Sequence, residues 1–386
     1  MFKRIILIVL DSVGIGAAKD ADKYDDLGTN TFGHAVEGYE ELENFKKLGY
    51  YNLLNNTDDE TISIYTKGIE KSNGKDTLTG HSEMMGVITI KPFKTFMNGF
   101  PKELIDEIEK ISGRKVIGNC VASGTEIIKE LGERQMKTGE LIVYTSADSV
   151  LQIAAHEEII PLEELYRICE KVRKITLKDD WKVGRIIARP YVGTNKDNFT
   201  RTPNRHDYAL DPAHTTVLDN LKTKGYDVLA IGKISDIFNN CGITKSTKTK
   251  DNTDGIEKII ETLKSDYNGL CFANLNDYDS KYGHRRNKEG YYMALKEFND
   301  KLPEIINYLK FDDLMIITAD HGNDPTYKGT DHTRENVPVV FYSKKLKKSG
   351  RIDDLNGFAD IGATIADNFN VEIVAGKSIL NKLKGE

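Results

Sequence analysis

The sequence predicts an α/β protein with a parallel central sheet flanked by helices, into which a smaller α+β domain is inserted. Three continuous apolar segments, typical of strands buried on both faces, predict the sheet. They cover residues 5–10, 270–275 and 314–318, and each is followed within two residues by a carboxylate. Because ligands bind beyond the carboxyl ends of parallel strands, we expect these carboxylates to meet at one edge of the sheet.

The composition excludes several classes of protein. The 386 residues are 39% hydrophobic and 30% charged, and no apolar run has transmembrane length, so we expect no membrane partner. The net charge of −6 is spread along the chain without a basic face, and we therefore expect no nucleic-acid partner. The four cysteines form no CxxC pair and are interpreted as reduced thiols of a cytoplasmic protein. The apolar start lacks a cleavage site and runs into Asp11, which favours a strand over a signal peptide.

Further elements follow from periodicity and from the insertion. A fourth strand over 228–231 leads to Gly232 and Lys233, and helical patterns cover 255–264, 290–309 and 361–369. The middle of the chain mixes helices over 102–111, 125–131 and 162–176 with strands over 141–145 and 184–188, and ends in a polar segment over 201–212. Since carboxylate-bearing strands lie on both sides of it, we interpret 94–213 as an inserted cap and 1–93 with 214–386 as the core.

Two Asp-His pairs carry the strongest chemical signal. Asp320-His321 follows a predicted strand, and Asp331-His332 lies eleven residues further on, in a second glycine-containing loop. Turn formation alone also uses such residues. Because other acidic strand ends occur in the same chain, we favour carboxylate and imidazole ligands that converge on one point.

A second acidic cluster follows the strand over 270–275. It contains Asp277, Asp279 and His284, which by themselves also fit a helix cap beside a surface histidine. Asp279 and His284 of this cluster join Asp11, Asp320, His321 and His332 in a set of three carboxylates and three imidazoles. Such a set suits two divalent cations of the Mn, Zn or Mg type, with a net positive charge that attracts phosphate.

A hydroxyl-rich turn over 74–83 is the third candidate. Thr77 and Thr79 precede a predicted helix, where such residues are commonly caps. A hydroxyl beside a pair of cations is also a suitable nucleophile for an in-line displacement. The spacing leaves the choice between the two threonines open.

These motifs resemble the alkaline phosphatase superfamily of metalloenzymes and, within it, the phosphopentomutase family. The resemblance rests on the segments DSVGIG from Asp11, KDTLTGH from Lys75, YTSADS from Tyr144, RTPNRHDY from Arg201, GHRR from Gly283, and residues 318–335. It extends over nearly the whole chain. Two departures are Ser82, where the family has an aromatic residue, and Asn276, where family members tend to be apolar.

The resemblance implies roles for individual residues. Asp11, Asp320 and His321 would hold one manganese ion, and Asp279, His284 and His332 would hold the other. Thr77 would carry the phosphoryl group between turnovers. The implied activity is interconversion of ribose or deoxyribose 1-phosphate and the 5-phosphate through a sugar bisphosphate, which also serves as activator. The fold implied is an alkaline-phosphatase-like core with a cap.

Candidates for substrate binding are less specific. Arg185 and Lys233 are candidates for the distal phosphate, and Ser146 and Asp148 for the sugar hydroxyls. Arg185 also fits a solvated strand-end charge. Two interpretations stay open for five further residues. A place in the cleft or a salt-bridge network fits Arg201, Arg205 and His206, and contact with phosphate or pairing on a helix surface fits Arg285 and Arg286.

Three rival functions are kept open. A cofactor-independent phosphoglycerate mutase shares the type of metal ligands but uses a serine nucleophile. A simple phosphomonoesterase would not retain a bisphosphate, and a metal-binding protein without turnover would not need a positioned hydroxyl.

Overall fold

The chain forms two compact units, each with its own apolar core. A computed structural model describes residues 1–146, 149–178 and 180–384. The first unit contains residues 1–91 and the chain from residue 211 onward, and the second contains residues 92–210. Among the described residues, helices that could span a lipid bilayer are absent.

The first unit contains one eight-stranded sheet. With strands numbered along the whole chain, its members are β1 (Arg4–Leu10), β2 (Ile64–Gly68), β9 (Asp227–Ile231), β10 (Lys245–Thr247), β11 (Gly269–Leu275), β12 (Asp313–Thr318), β13 (Val337–Tyr342) and β14 (Gly350–Arg351). The order across the sheet is β10-β9-β11-β1-β12-β13-β2-β14. The first five strands in this order, β10, β9, β11, β1 and β12, are parallel to one another. Strand β13 runs antiparallel to both of its neighbours, β12 and β2.

The register of the three central strands brings their carboxyl ends level. Leu10 pairs with Leu275 on β11, and Val9 pairs with Thr318 on β12. Every residue of these strands is buried, as their continuous apolar sequences predict. The predicted parallel sheet is confirmed, and the residues that follow its central strands leave the same edge.

Strands β2 and β13 have no counterpart among the predicted elements. In β13, Pro338 pairs with Lys67 of β2, and a proline inside an apolar run weakens the expectation of a strand. These strands extend the parallel sheet on the side of β12.

Helices cover the sheet of the first unit. They are α1 (Thr31–Val36), α2 (Glu43–Lys47), α3 (Tyr50–Asn55), α4 (Thr77–Met84), α8 (Val217–Thr223), α9 (Ile234–Ile237), α10 (Asn252–Lys264), α11 (Lys288–Tyr308), α12 (Ala359–Phe369) and α13 (Leu380–Lys384), with a 3₁₀ turn over Ala21–Tyr24 and a π-helical turn over Tyr278–Gly283. The helices predicted over 255–264, 290–309 and 361–369 correspond to α10, α11 and α12.

The second unit is an α+β fold. Its strands are β3 (Val116–Val121), β4 (Leu141–Thr145), β5 (Val150–His156), β6 (Arg185–Val192), β7 (Thr200–Arg201) and β8 (His206–Ala209), and its helices are α5 (Lys102–Ser112), α6 (Gly124–Thr138) and α7 (Leu162–Ile175). The sheet order is β3-β4-β5-β6-β7, with β8 also paired to β6.

Two expectations for this unit need correction. Helix α6 continues past the predicted end at 131 to Thr138, and its C-cap is Gly139, whose φ is +71°. Gly132 lies within the helix, where a Cβ would lie 2.6 Å from the ring of Phe199. The polar segment over 201–212, in which no strand was predicted, contains β8, which pairs with β6.

Candidate functional site

The six predicted cation ligands lie together beyond the carboxyl edge of the central sheet. Asp11 follows β1, and Asp320 and His321 follow β12, while Asp279 lies in the π-helical turn after β11. His284 comes directly after that turn and His332 lies in the loop before β13. Five of the six side chains are buried, and His284 is half-buried. π-Helical turns are frequent at functional sites.

The ligand atoms form two adjoining groups. One contains Asp279, His284 and His332, and the other contains Asp11, Asp279 and His321, with ligand atoms inside each group within 4.8 Å of one another. Oδ2 of Asp279 lies 3.2 Å from Nε2 of His284, and Oδ1 lies 3.3 Å from Nε2 of His332. Asp279 is therefore common to both groups.

Asp320 borders the second group. Its Oδ2 atom lies 3.3 Å from Nε2 of His321 and 3.2 Å from Nδ1 of His81, while Oδ1 accepts a hydrogen bond from the backbone of Ser12. Among the described residues, Oδ2 of Asp320 and Oδ1 of Asp11 are buried without a hydrogen-bond donor. Buried carboxylate oxygens without donors beside imidazoles fit the binding of a divalent cation.

The carboxylates and the imidazoles of the site shift each other's pKa. Burial alone would raise the pKa of Asp320, but the neighbouring His321 and His81 lower it to about 2. Burial likewise opposes protonation of His321, yet Asp320, Asp11 and Asp279 raise its pKa well above the usual value. For Asp279, the attraction of His332 and His284 outweighs burial and lowers the pKa. The carboxylates thus favour the charged form of His321, and His321 in turn favours the charged form of Asp320.

Thr77 is the first residue of helix α4 and lies against this cluster. Its hydroxyl is 3.2 Å from Nε2 of His321, and the side chain is buried. The preceding residue, Asp76, is the N-cap and accepts hydrogen bonds from the backbone and the hydroxyl of Thr79. The hydroxyl of Thr79 is thus engaged in the cap, whereas that of Thr77 points to the cation ligands.

Gly80 and His81 bring helix α4 close to the strand-end loop. A Cβ atom on Gly80 would lie 2.1 Å from the carbonyl oxygen of Asp320, so only glycine permits this approach. The imidazole of His81 stacks on Phe272 and its Nδ1 lies 2.9 Å from the carbonyl oxygen of Thr77. The close approach places the start of the helix beside the ligands.

Arg334 ties the loop of His332 to the segment that leads to Thr77. This guanidinium is 2% exposed and donates to the carbonyl oxygens of Glu70, Ser72 and Gly74. It also pairs with the carboxylates of Glu70 and Asp20. The role of Arg334 was not predicted, although the residue lies inside the 318–335 motif.

Two buried asparagines donate hydrogen bonds to ligand carboxylates, and a buried glutamate lies in the loop after His332. Asn274 donates to Oδ2 of Asp11 at 2.9 Å, and Asn323 donates to Oδ1 of Asp279 at 2.7 Å. Glu335 accepts hydrogen bonds from the hydroxyls of Thr31 and Thr333. Such outer partners orient metal ligands. Of these residues, only Asn274 could have been identified from the sequence, because it is an asparagine within the apolar strand β11.

Lys233 lies in the first unit, directly after β9. Its ammonium group donates to Oδ1 of Asn276 at 2.9 Å, and the amide of Asn276 donates to the hydroxyl of Ser280. Asn276, at a position where family members tend to be apolar, therefore binds the ammonium group of Lys233.

The remaining predicted substrate residues belong to the second unit. Arg185 begins β6, with Nη1 3.7 Å from Oδ2 of Asp207, and Ser146 follows β4. Asp207 also forms a two-fold hydrogen-bonded pair with Arg205. Asp148 lies outside the described residues.

Comparisons with known proteins identify the family. Residues 3–373 match the Metalloenzyme superfamily. A protein of Pyrococcus horikoshii is similar over 98% of this chain and 99% of its own, at 15% identity and a TM-score of 0.49. Phosphoglycerate mutase of Leishmania mexicana, crystallised at low cobalt concentration, is similar over 96% of each chain, at 14% identity and a TM-score of 0.47. The chain belongs to the Metalloenzyme superfamily and is a metal-dependent enzyme with an alkaline-phosphatase-like α/β fold.

Proposed function

We propose that the protein is a phosphopentomutase that interconverts ribose or deoxyribose 1-phosphate and the 5-phosphate. The observation that carries phosphoryl transfer is the position of the Thr77 hydroxyl, 3.2 Å from His321 of the ligand group Asp11, Asp279 and His321. The choice of a pentose phosphate rests on the motifs, in particular those from Asp11, Lys75 and Arg201.

The proposal assigns two divalent cations, manganese by preference, to the six ligands. Asp11, His321 and Asp320 would hold one, and His284, His332 and Asp279 the other, with Asp279 close enough to serve both. The bound cations would supply positive charge to the oxygens of the transferred phosphoryl group.

In the proposed reaction, Thr77 carries the phosphoryl group. The Oγ–P bond of phosphorylated Thr77 breaks as a hydroxyl oxygen of the pentose monophosphate bonds to phosphorus, and the hydroxyl proton is released to Thr77. The resulting bisphosphate turns around, its other phosphoryl group passes to Thr77, and the isomeric monophosphate leaves. The first N–H groups of α4 favour negative charge at Thr77, because they lack partners within the helix.

We further propose that the second unit, over roughly 94–213, acts as the cap that retains the bisphosphate. Its arginines support this role, since Arg205, Arg185 and Arg189 lie close enough to Asp207 to lower the pKa of its carboxyl against the effect of burial. Arg185 and Ser146, with Asp148 and with Lys233 of the first unit, remain our candidates for contacts to the substrate. The four free cysteines support a cytoplasmic location.

The test is an assay of ribose 1-phosphate with Mn²⁺ and a trace of sugar bisphosphate. We expect ribose 5-phosphate to form without an equal release of inorganic phosphate, and the rate to depend on the bisphosphate. Release of phosphate in proportion to substrate consumed would identify a phosphomonoesterase. Conversion of 3-phosphoglycerate to 2-phosphoglycerate in place of the pentose reaction would identify a phosphoglycerate mutase.

A further inference from the structure

Arg286 lies two residues after His284 and is positioned by an unusual backbone. Its φ is +52°, in the left-handed region that residues with a Cβ seldom adopt. Among the described residues, no carboxylate forms an ion pair with its guanidinium. It donates instead to backbone carbonyl oxygens and to the side chain of Asn323.

The first set of contacts holds the chain that leads to His332. Arg286 donates to the carbonyl oxygens of Lys328, Gly329 and Asp331 at 3.3, 2.7 and 2.9 Å. The carbonyl oxygen of Thr330 lies 2.6 Å from Nδ1 of His284. Four successive carbonyl groups before His332 are therefore held by His284 and Arg286 together.

The second contact reaches Asp279 through Asn323. Arg286 donates to Oδ1 of Asn323, which turns the amide so that its Nδ2 donates to Oδ1 of Asp279 at 2.7 Å. Asn323 is fully buried, and its amide packs on Gly283, where a Cβ would lie 2.8 Å from it. The amide thus has little freedom to rotate.

We propose that Arg286 is the positioning residue for the cation site formed by Asp279, His284 and His332. One guanidinium fixes all three ligands: Asp279 through Asn323, His332 through the preceding carbonyls, and His284 through the shared segment 328–331. No carboxylate is needed for this, so the contribution of Arg286 lies in the geometry of its five donors and not in its charge alone. The inference rests on the two-cation assignment made above.

A matched pair of variants tests the proposal. Arg286→Lys keeps the charge but cannot make these contacts, whereas the neighbouring Arg285 is exposed, so Arg285→Lys serves as control. Mn²⁺ binding to the full chain is measured by calorimetry and by the electron paramagnetic resonance signal of free Mn²⁺. We expect Arg286→Lys to weaken mainly the site of Asp279, His284 and His332, roughly 10- to 100-fold, the range typical of lost outer partners of metal ligands. Arg285→Lys should leave both sites unchanged.

Asn323→Ala provides a second, independent variant. It removes the link to Oδ1 of Asp279, the oxygen that faces His332, so it should weaken mainly the site of Asp279, His284 and His332. Its effect and that of Arg286→Lys should be less than additive, because both act on one carboxylate. Thermal unfolding of the metal-free proteins checks that each variant is folded. Wild-type dissociation constants in both folded variants would overturn the role of Arg286 while leaving two cations in place. A wild-type protein that binds a single Mn²⁺ would instead overturn the two-cation assignment and this inference with it.

Discussion

The hydroxyl of Thr77 lies 3.2 Å from Nε2 of His321, although the two residues are 244 positions apart in the chain. This contact joins the start of helix α4 to the end of strand β12. It places a buried hydroxyl beside the ligand group of Asp11, Asp279 and His321, which is the arrangement that an enzyme needs if a side chain is to receive a phosphoryl group.

The first prediction distinguishes the two threonines of the turn. Thr77→Ala should fold and bind Mn²⁺ but lose turnover, by roughly 10³- to 10⁶-fold, the range seen when a nucleophile is removed. Thr79→Ala should keep a measurable rate and lose about 1 kcal/mol of stability, because its hydroxyl bonds to Asp76. Phosphopeptide mapping after incubation with labelled bisphosphate checks the site of the label. A label on Thr79 would contradict the assignment.

The second prediction concerns the shared ligand. Because Asp279 belongs to both ligand groups, Asp279→Asn should weaken the binding of both cations, whereas His332→Ala should affect one. Metal content after equilibrium dialysis against Mn²⁺ is the measurement, with Asp11→Asn as the counterpart for the other group. Loss of a single cation in Asp279→Asn would place this carboxylate in one site only.

The third prediction concerns Glu335 and pH. Burial raises the pKa of Glu335 to about 7, even though Thr31 and Thr333 donate to its carboxylate and favour the charged form. Between the unfolded value, about 4.3, and this folded value, the folded state binds more protons than the unfolded state. The free energy of unfolding should therefore fall as the pH rises through this interval.

Glu335→Gln isolates this contribution. Chemical denaturation of the metal-free wild type and of the variant, at several pH values in the presence of a chelator, gives the difference in unfolding free energy. We expect this difference to change between about pH 4.3 and about pH 7 and to be constant above that. A constant difference across the whole range would show that Glu335 is already ionised at the lower pH.

The fourth prediction concerns Arg334. Arg334→Met leaves the buried carboxylate of Glu70 without its cation, and breaking such a pair costs about 3–5 kcal/mol. Adding Glu70→Gln should recover part of this loss, as measured by urea denaturation. If the double variant is no more stable than Arg334→Met, the carbonyl contacts of Arg334 and not its ion pair provide the stabilisation.

The fifth prediction separates the roles of the two units. All six proposed cation ligands and Thr77 lie in the first unit, so Arg185→Ala in the second should leave Mn²⁺ binding unchanged. We expect a lower mutase rate and a larger ratio of inorganic phosphate released to 5-phosphate formed, because a weakly held sugar phosphate leaves phosphorylated Thr77 open to hydrolysis by water. A parallel fall in metal occupancy would contradict this division, and an unchanged rate and ratio would make Arg185 a surface charge.

Much of this architecture could be predicted from local sequence. A strand buried on both faces must be apolar throughout, and for this reason β1, β11 and β12 stand out as continuous runs. The acidic residues after those runs could be identified as site residues, since parallel strands present their carboxyl ends at one edge. Strands such as β2 and β13, whose pairing is antiparallel and whose sequence includes Pro338, lack that local signature.

The sequence by itself determined which residue types are available for the site, through the Asp-His pairs and the turn at Thr77. Only the tertiary structure decided how they are shared: Asp279 serves two ligand groups, Arg286 reaches Asp279 through Asn323, and Arg334 holds the segment before Thr77. The physical reason is that hydrophobic periodicity is set by neighbours a few residues apart. The hydrogen-bond partners of buried polar groups depend instead on which loops the packed core brings within about 3 Å of each other.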